Sequence, residues 1–191
     1  MKIRNALFVL LPAVAGCLGT APKAPVNWTV EWSADGQAVF AKPTMPAVKL
    51  LRLDVRAPYS GTRLAVLRAD GSIAFDPFNG FAAQPASLLT GAALDALEAT
   101  GAFESVLPGA STASAPLVAE ATVTKLALDC RAKGRRDAVA AVTLALLSGR
   151  GVVSVAKGEA AVSAADGGYS AAFSKAFSGA VAEAVRGLKV K

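Results

Sequence analysis

Residues 169–188 read YSAAFSKAFSGAVAEAVRGL, and this stretch carries the clearest structural pattern in the chain. Its apolar residues recur at steps of three and four positions: Tyr169, Phe173, Ala176, Phe177, Ala180, Val181, Ala184, Val185 and Leu188. Lys175, Glu183 and Arg186 fall off that stripe. The spacing predicts a helix with one buried face. We expect the helix to lie on a sheet, although such a stripe is also suited to binding lipid or a partner helix.

Three strand-like runs precede this helix, at 117–130, 136–147 and 151–163. The first run changes phase near Lys125, where the apolar residues move from odd to even positions, and this predicts a β-bulge. The second run is apolar almost throughout. It favours a central strand covered on both faces, although a helix is also compatible with so much alanine.

The first half of the chain mixes strand and helix patterns. Further strands are predicted at 27–32, 49–57, 63–68, 72–75 and 103–107. The pair Asp70-Gly71 predicts a tight hairpin turn, and residues 85–100 have helical spacing, with a proline at the start and Gly101 after the end. In the second strand, Leu51, Leu53 and Val55 are expected on one buried face. The order of elements predicts an α+β domain with a single, mostly antiparallel sheet and two helices packed on one face.

The N-terminus has the pattern of a bacterial lipoprotein signal peptide. Lys2 and Arg4 precede an apolar stretch, and small residues follow it before Cys17. The stretch is too short to span a bilayer of about 30 Å, which needs about 20 apolar residues. We predict a signal peptide at 1–16, a lipidated tether at 17–26 and one domain at 27–191. Acyl chains such as palmitate on Cys17 would anchor the domain to a membrane; an uncleaved or buried apolar helix is the alternative.

The residue types argue against enzymatic chemistry. The chain has no histidine, the commonest general base and transition-metal ligand. Once Cys17 is lipidated only Cys130 remains, and we interpret it as a buried small hydrophobe rather than a reactive or metal-binding thiol. Asp76 in a turn and Asp95 on the polar side of a helix are interpreted as structural, and no glycine-rich phosphate motif is present. We expect no catalytic residue, metal, cofactor or nucleotide.

The charge pattern gives no sign of nucleic-acid binding. The formal net charge is +6, and the basic residues are dispersed apart from a cluster at Arg131, Lys133, Arg135 and Arg136. This cluster lacks the interleaved aromatic residues of a single-strand nucleic-acid groove. We interpret it as a solvated hairpin turn; contact with an acidic partner or anionic lipid is the alternative.

Residues 57–61, the Asp-Gly hairpin and the run from Ile73 to Ala82, IAFDPFNGFA, resemble the core motif of the ABC-type transport auxiliary lipoproteins. This family includes the paraquat-inducible lipoproteins. The resemblance continues through the helix that ends at Gly101, weakens in the later strands and returns in the terminal helix. It therefore covers most of the mature chain.

This resemblance implies a non-enzymatic periplasmic component of an ABC-type lipid transport system. Such systems combine an ATPase, a permease and a conducting protein with mammalian-cell-entry domains, which the auxiliary lipoprotein docks at the membrane. Loops that carry aromatic residues are common recognition surfaces. The residues expected to bind the partner are Tyr59, Phe75, Phe78 and Phe81. The alternative is that the three phenylalanines close the core over the first helix.

The predicted location is the periplasmic face of the outer membrane, because Leu18 rather than Asp follows Cys17; inner-membrane anchoring is the second choice. The substrate and the oligomeric state, a homo-oligomer included, stay open. Two rival functions are a structural or assembly lipoprotein of the envelope without a transport role, and a periplasmic hydrolase. A genomic neighbourhood without permease and ATPase genes would favour the first, and the lack of histidine disfavours the second.

Overall fold

The computed structural model describes residues 24–33, 39–149, 151–164 and 168–189. The predicted signal peptide, Cys17 and most of the predicted tether lie outside the described residues. The described chain contains eight strands and two helices, in the order β1 (Val26–Trp28), β2 (Val48–Val55), β3 (Arg63–Leu67), β4 (Ile73–Phe81), α1 (Pro85–Ala99), β5 (Val106–Pro108), β6 (Leu117–Asp129), β7 (Asp137–Ser148), β8 (Gly151–Ser163) and α2 (Tyr169–Gly187).

The strands form one sheet of mixed orientation around the long strand β6. β7 pairs antiparallel along one edge of β6, and β8 continues antiparallel beyond β7. On the other edge of β6, β2 pairs in parallel with its first half and β3 with its end. β5 extends the sheet in parallel beyond β2, while β4 pairs antiparallel with β3 and in parallel with β1. The long strands β6, β7 and β8 pair antiparallel with one another, and the shorter strands add parallel pairs, so the predicted single sheet has mixed orientation.

Both helices pack on one face of this sheet. α2 lies on β7 and β8, and α1 lies against α2 and β2. The rings of Phe173 and Phe177 are fully buried between α2 and the sheet, and Leu89 and Leu97 are buried on α1. The predicted α+β class and the buried stripes of both helices are thus confirmed.

The first helix ends where the sequence predicts. Gly101 follows it with φ of 66°, a left-handed conformation that side chains disfavour. A Cβ atom at this position would also lie 2.6 Å from the carbonyl oxygen of Phe40. Gly101 is therefore required both by the turn and by the neighbouring chain.

The predicted buried face of β2 is wrong at Leu51. The pairing of β2 with β6 shifts register between Leu50 and Arg52, so that Leu51 is an extra residue in the strand. Its side chain is 56% exposed, whereas Leu50 and Leu53 are buried. A bulge in the middle of an alternating pattern reverses the faces on one side of it, and the sequence pattern does not show this.

The bulge predicted in β6 is confirmed, since its register against β7 shifts between Val123 and Lys125. β7 is a central strand, but the helices cover only one of its faces. On the other face Ala141 is still buried, because the ion pair of Lys125 on β6 with Glu159 on β8 reaches across it. Long side chains on the neighbouring strands thus take the place of a second layer.

The first strand is shorter than predicted. β1 ends at Trp28, and residues 29–33 continue as a segment attached to α2. The backbone N–H groups of Glu31 and Ser33 donate to the hydroxyls of Ser174 (3.0 Å) and Ser178 (3.2 Å). The hydroxyl of Ser170 donates to the carbonyl of Thr29 at 2.7 Å. Serines four residues apart on one helix therefore hold every second residue of the segment.

Candidate functional site

The β3–β4 hairpin carries the aromatic block that the sequence analysis selects. At its turn Gly71 has φ of 82°, as the Asp-Gly pair predicts. The carboxylate of Asp70 accepts hydrogen bonds from the hydroxyl and the backbone N–H of Ser72 at 2.7 and 2.9 Å. These bonds, that from the hydroxyl foremost, lower the pKa of Asp70 below its usual value. The turn is thereby fixed, and so is the pairing of the two strands behind it.

Strand β4 bulges outward in its middle. Arg63 of β3 pairs with Gly80, but Ala65 pairs with Phe75, so the residues from Asp76 to Asn79 have no partner on β3, although Asn79 pairs with Val26 of β1. Pro77 has no N–H to give to the ladder, which suits it to this position. The carboxylate of Asp76 accepts from the backbone N–H groups of Phe78 and Asn79 at 2.8 and 3.0 Å.

The bulge presents Phe78 to solvent. Its side chain is 41% exposed, while the adjacent Asn79 amide nitrogen donates to the second oxygen of Asp76 at 3.0 Å. Asp76 therefore organises the loop beneath an exposed ring. This agrees with its interpretation as a structural residue.

Phe75 lies on the sheet face that the helices leave open. Its strand partner Ala65 sits between Leu64 and Val66, which pack in the helix-side core, so Ala65 and Phe75 point the other way. Phe75 is 39% exposed. The guanidinium of Arg63 lies 5.6 Å from the ring centroid and donates to the Phe75 carbonyl at 3.4 Å, which restrains this residue.

Phe81 is part of the core. It is 3% exposed, and its ring centroid lies 5.3 Å from that of Trp28 and 5.8 Å from that of Phe173 on α2. The alternative interpretation, that this ring closes the core, describes Phe81, whose ring packs against Phe173 of α2. Tyr59 in the β2–β3 turn is half-buried and also packs against the core. The structure thus separates the four predicted residues into an exposed pair, Phe75 and Phe78, and a packed pair.

The structure also shows exposed apolar residues that the sequence analysis does not select. Val152 is 65% and Val155 is 55% exposed on β8, and Leu51 joins them as the bulged residue of β2. The alternation of β8 carries a signal for Val155, which falls out of phase with the residues that face α2, but not for Val152, which lies beyond the register shift of β8 against β7. Nothing in the sequence marks Leu51, because its exposure depends on the bulge.

The basic cluster lies in the turn between β6 and β7, and its basic residues are exposed. Two of them pair locally: Arg131 with Asp129 at 2.6 Å and Arg135 with Asp137 at 2.8 Å. The hydrogen bond from Arg131 lowers the pKa of Asp129. Half-burial raises the pKa of the neighbouring Cys130 thiol, so little of it is the nucleophilic thiolate at neutral pH.

Within residues 24–33, 39–149, 151–164 and 168–189, no group of three or more His, Cys, Asp or Glu side chains is arranged to hold a metal ion. In the same ranges no helix combines the length and the apolar character needed to cross a membrane.

Comparison with solved structures shows a known fold. The chain is similar to the crystal structure of XCC0632 from Xanthomonas campestris, a protein of the family DUF330, with a TM-score of 0.55 and 18% identity over 85% of this chain and 88% of that one. It is also similar to the crystal structure of an uncharacterized protein, with a TM-score of 0.52 and 13% identity over 83% of this chain and 95% of that one. At these identities the likeness shows the fold alone. No protein-family model and no curated protein sequence matches the chain.

Proposed function

We propose that this protein is a lipid-anchored periplasmic docking component of an ABC-type lipid transport system, and that it binds the protein with mammalian-cell-entry domains. The lipoprotein pattern before Cys17 and the resemblance of residues 57–101 to the auxiliary lipoproteins support this role. The fold shared with a DUF330 protein is compatible with it.

The observation that carries the proposal is the exposed aromatic pair on β4. Phe75 and Phe78 are about two-fifths exposed, on a strand fixed at one end by the Asp70 turn and in its middle by Asp76. Rings already held in place lose little conformational freedom on binding, and aromatic residues dominate the energies of protein interfaces. Ile73 lies two residues before Phe75 on the same face and is 40% exposed, so it enlarges the apolar surface.

In this role the chain performs no reaction on the lipid itself. The acyl chains at Cys17 hold the protein at the membrane, and the tether lets the domain reach its partner. The surface formed by Ile73, Phe75 and Phe78, here called the β4 surface, then fixes the conducting protein near the membrane.

The test compares partner capture by two double variants. Phe75→Ala with Phe78→Ala is expected to weaken capture about thirtyfold, the ratio for a loss of about 2 kcal/mol at an interface hot spot. Val152→Ala with Val155→Ala is the control, because it removes an apolar pair from β8 that is more exposed than Phe75 and Phe78. Capture is measured by titrating the purified conducting protein onto each variant.

Folding must be measured in parallel, by thermal unfolding of both double variants. Exposed substitutions change stability by about 0.5 kcal/mol or less, so both variants should melt close to the wild type. Unchanged capture by the β4 variant would contradict the assignment of this surface. An equal loss in the β8 control would show that general apolar contact, rather than the β4 surface, binds the partner.

A further inference from the structure

The edge of the sheet next to β1 stays open beyond the end of β4. The carbonyl of Trp28 accepts a hydrogen bond from the backbone N–H of Ala82 at 2.9 Å, which is the last backbone hydrogen bond between these two segments. The chain after β4 then turns away into α1, which begins at Pro85. Residues 29–33 continue past this point without a strand beside them.

This segment leaves hydrogen-bonding backbone groups unpaired within the described chain, at Val30, which is 3% exposed, and at Trp32, which is half-buried. The serines of α2 bind the carbonyl of Thr29 and the N–H groups of Glu31 and Ser33, as described above. In an extended chain the N–H and C=O groups of alternate residues point to opposite sides, so those of Val30 and Trp32 point to the side that β4 has left. They form no hydrogen bond with any part of the chain that the structure describes.

A groove of about 510 Å³ lies along this open edge, between residues 29–32 and α1. Its α1 wall combines the apolar Leu88 and Ala92 with Gly91, whose missing side chain leaves open space: a Cβ there would meet nothing within 4 Å. The wall runs from Ser87 to Asp95, which is about 12 Å at 1.5 Å per helical residue. That length accommodates about four residues of extended chain at about 3.3 Å each.

The charge of the groove is one-sided. Glu31 and Asp95 line it, whereas no basic residue does. Neither carboxylate forms an ion pair within the described residues; Glu31 accepts only a 3.3 Å hydrogen bond from the Thr29 hydroxyl. Trp32 also lines the groove, and its indole Nε1 is the one buried side-chain nitrogen or oxygen of the described chain without a hydrogen-bond partner.

We infer that this groove binds an extended segment of a partner polypeptide that carries a lysine or arginine. The segment takes the place beside Val30 and Trp32 that β4 vacates, and its backbone pairs with theirs, as in strand addition to a sheet edge. Its basic side chain meets Glu31 and Asp95. This inference does not depend on the proposed transport role, and the groove is a separate surface from the β4 surface.

The test selects random linear peptides displayed on phage against the purified full-length protein in detergent micelles. We expect the selected peptides to be enriched in lysine and arginine. They should bind Gly91→Phe and Asp95→Lys at least about tenfold more weakly, because the first fills the groove and the second reverses its charge. Glu98→Phe and Glu98→Lys are the matched controls, since Glu98 is exposed on the same helix but does not line the groove.

Amide hydrogen exchange provides a readout that nonspecific binding to the protein surface would not change. The amide of Trp32, which is half-buried and unpaired within the described chain, should exchange quickly in the free protein and become protected when a synthetic copy of a selected peptide is added. The inference is overturned if no peptide is selected, if the selected set lacks basic residues, or if Gly91→Phe binds as well as Glu98→Phe. It is equally overturned if the Trp32 amide is already protected in the free protein or stays unprotected with the peptide bound.

Discussion

Gly158 shows how closely α2 approaches the sheet. A Cβ at this position of β8 would lie 2.0 Å from the carbonyl oxygen of Ala180 and 2.5 Å from the nitrogen of Ala184. Gly179 and Gly187 of α2 likewise leave room for Ala160 and Ala156 of β8, at 3.1 Å. The small residues that dominate this sequence thus bring helix and strand backbones into contact.

Gly158→Ala is therefore expected to destabilise the domain by at least about 1–3 kcal/mol, because backbone rather than a flexible side chain must move. Gly91→Ala is the control at an exposed helical glycine, where it should stabilise by about 0.5–1 kcal/mol through helix propensity. Urea unfolding of both variants measures the two changes. A Gly158→Ala protein as stable as the wild type would contradict the close packing of α2 on β8.

At the residue scale, the sequence predicts buried stripes better than exposed rings. The sequence leaves open whether the phenylalanines of β4 bind a partner or close the core, because one strand carries both Phe75 and Phe81. The β4 bulge separates them: Phe81 follows it and joins the core, while Phe75 precedes it on the open face. The Asp76–Asn79 hydrogen bonds that produce the bulge have only Asp-Pro as a sequence signal.

At the scale of elements, α2 is the part of the fold most fully predicted from sequence. Its apolar stripe is long and regular, and the stripe residues from Phe173 to Val185 are buried as expected. The sequence analysis misses the second use of the helix, as the support for residues 29–33. The signal was present, since Ser170, Ser174 and Ser178 recur every four residues, but serine spacing alone does not indicate what the hydroxyls bind.

Truncation of one of the two fully buried rings of α2 tests that packing. Phe177 is fully buried, against a small cavity shared with Leu97 of α1 and Val142 of β7. Phe177→Ala should cost about 3–5 kcal/mol, a large part of the stability of roughly 5–15 kcal/mol of an ordinary domain. The measurement is the melting temperature of the variant beside that of Lys175→Ala, an exposed position of the same helix. A melting temperature equal to that of the control would mean that α2 does not complete the core.

The sheet order is the part of the fold that the sequence does not predict. Alternation gives strands and their faces, and it gives the hairpins of neighbouring strands, such as β3 with β4. The parallel pairs of β2 and β3 with β6 join segments far apart in sequence. Which strands pair with β6 depends on its length. Its thirteen residues let two short strands pair with different parts of one edge.

At the scale of the whole molecule, a predicted membrane anchor precedes a domain with two proposed recognition surfaces. The anchor at Cys17 lies outside the described residues, and it stays a prediction from the sequence. Cys17→Ser should abolish metabolic labelling with a fatty acid and leave the protein out of the detergent-solubilised membrane fraction. Cys130→Ser serves as the control, since it keeps Gly16 and Cys17 of the lipidation pattern and removes the other thiol. Labelling that persists in Cys17→Ser would contradict the anchor.

The central claim is that the β4 surface contacts the conducting protein of a lipid transporter, and crosslinking in native membranes tests it most directly. A photo-crosslinking amino acid replaces Phe78 in the full-length protein, and Lys133 in the exposed β6–β7 turn is replaced in the control. After irradiation, the captured proteins are purified and identified by mass spectrometry. The account predicts a mammalian-cell-entry domain protein crosslinked at position 78 and absent, or far weaker, at position 133. Adducts at position 78 with other envelope proteins only, or equal capture at both positions, would contradict it.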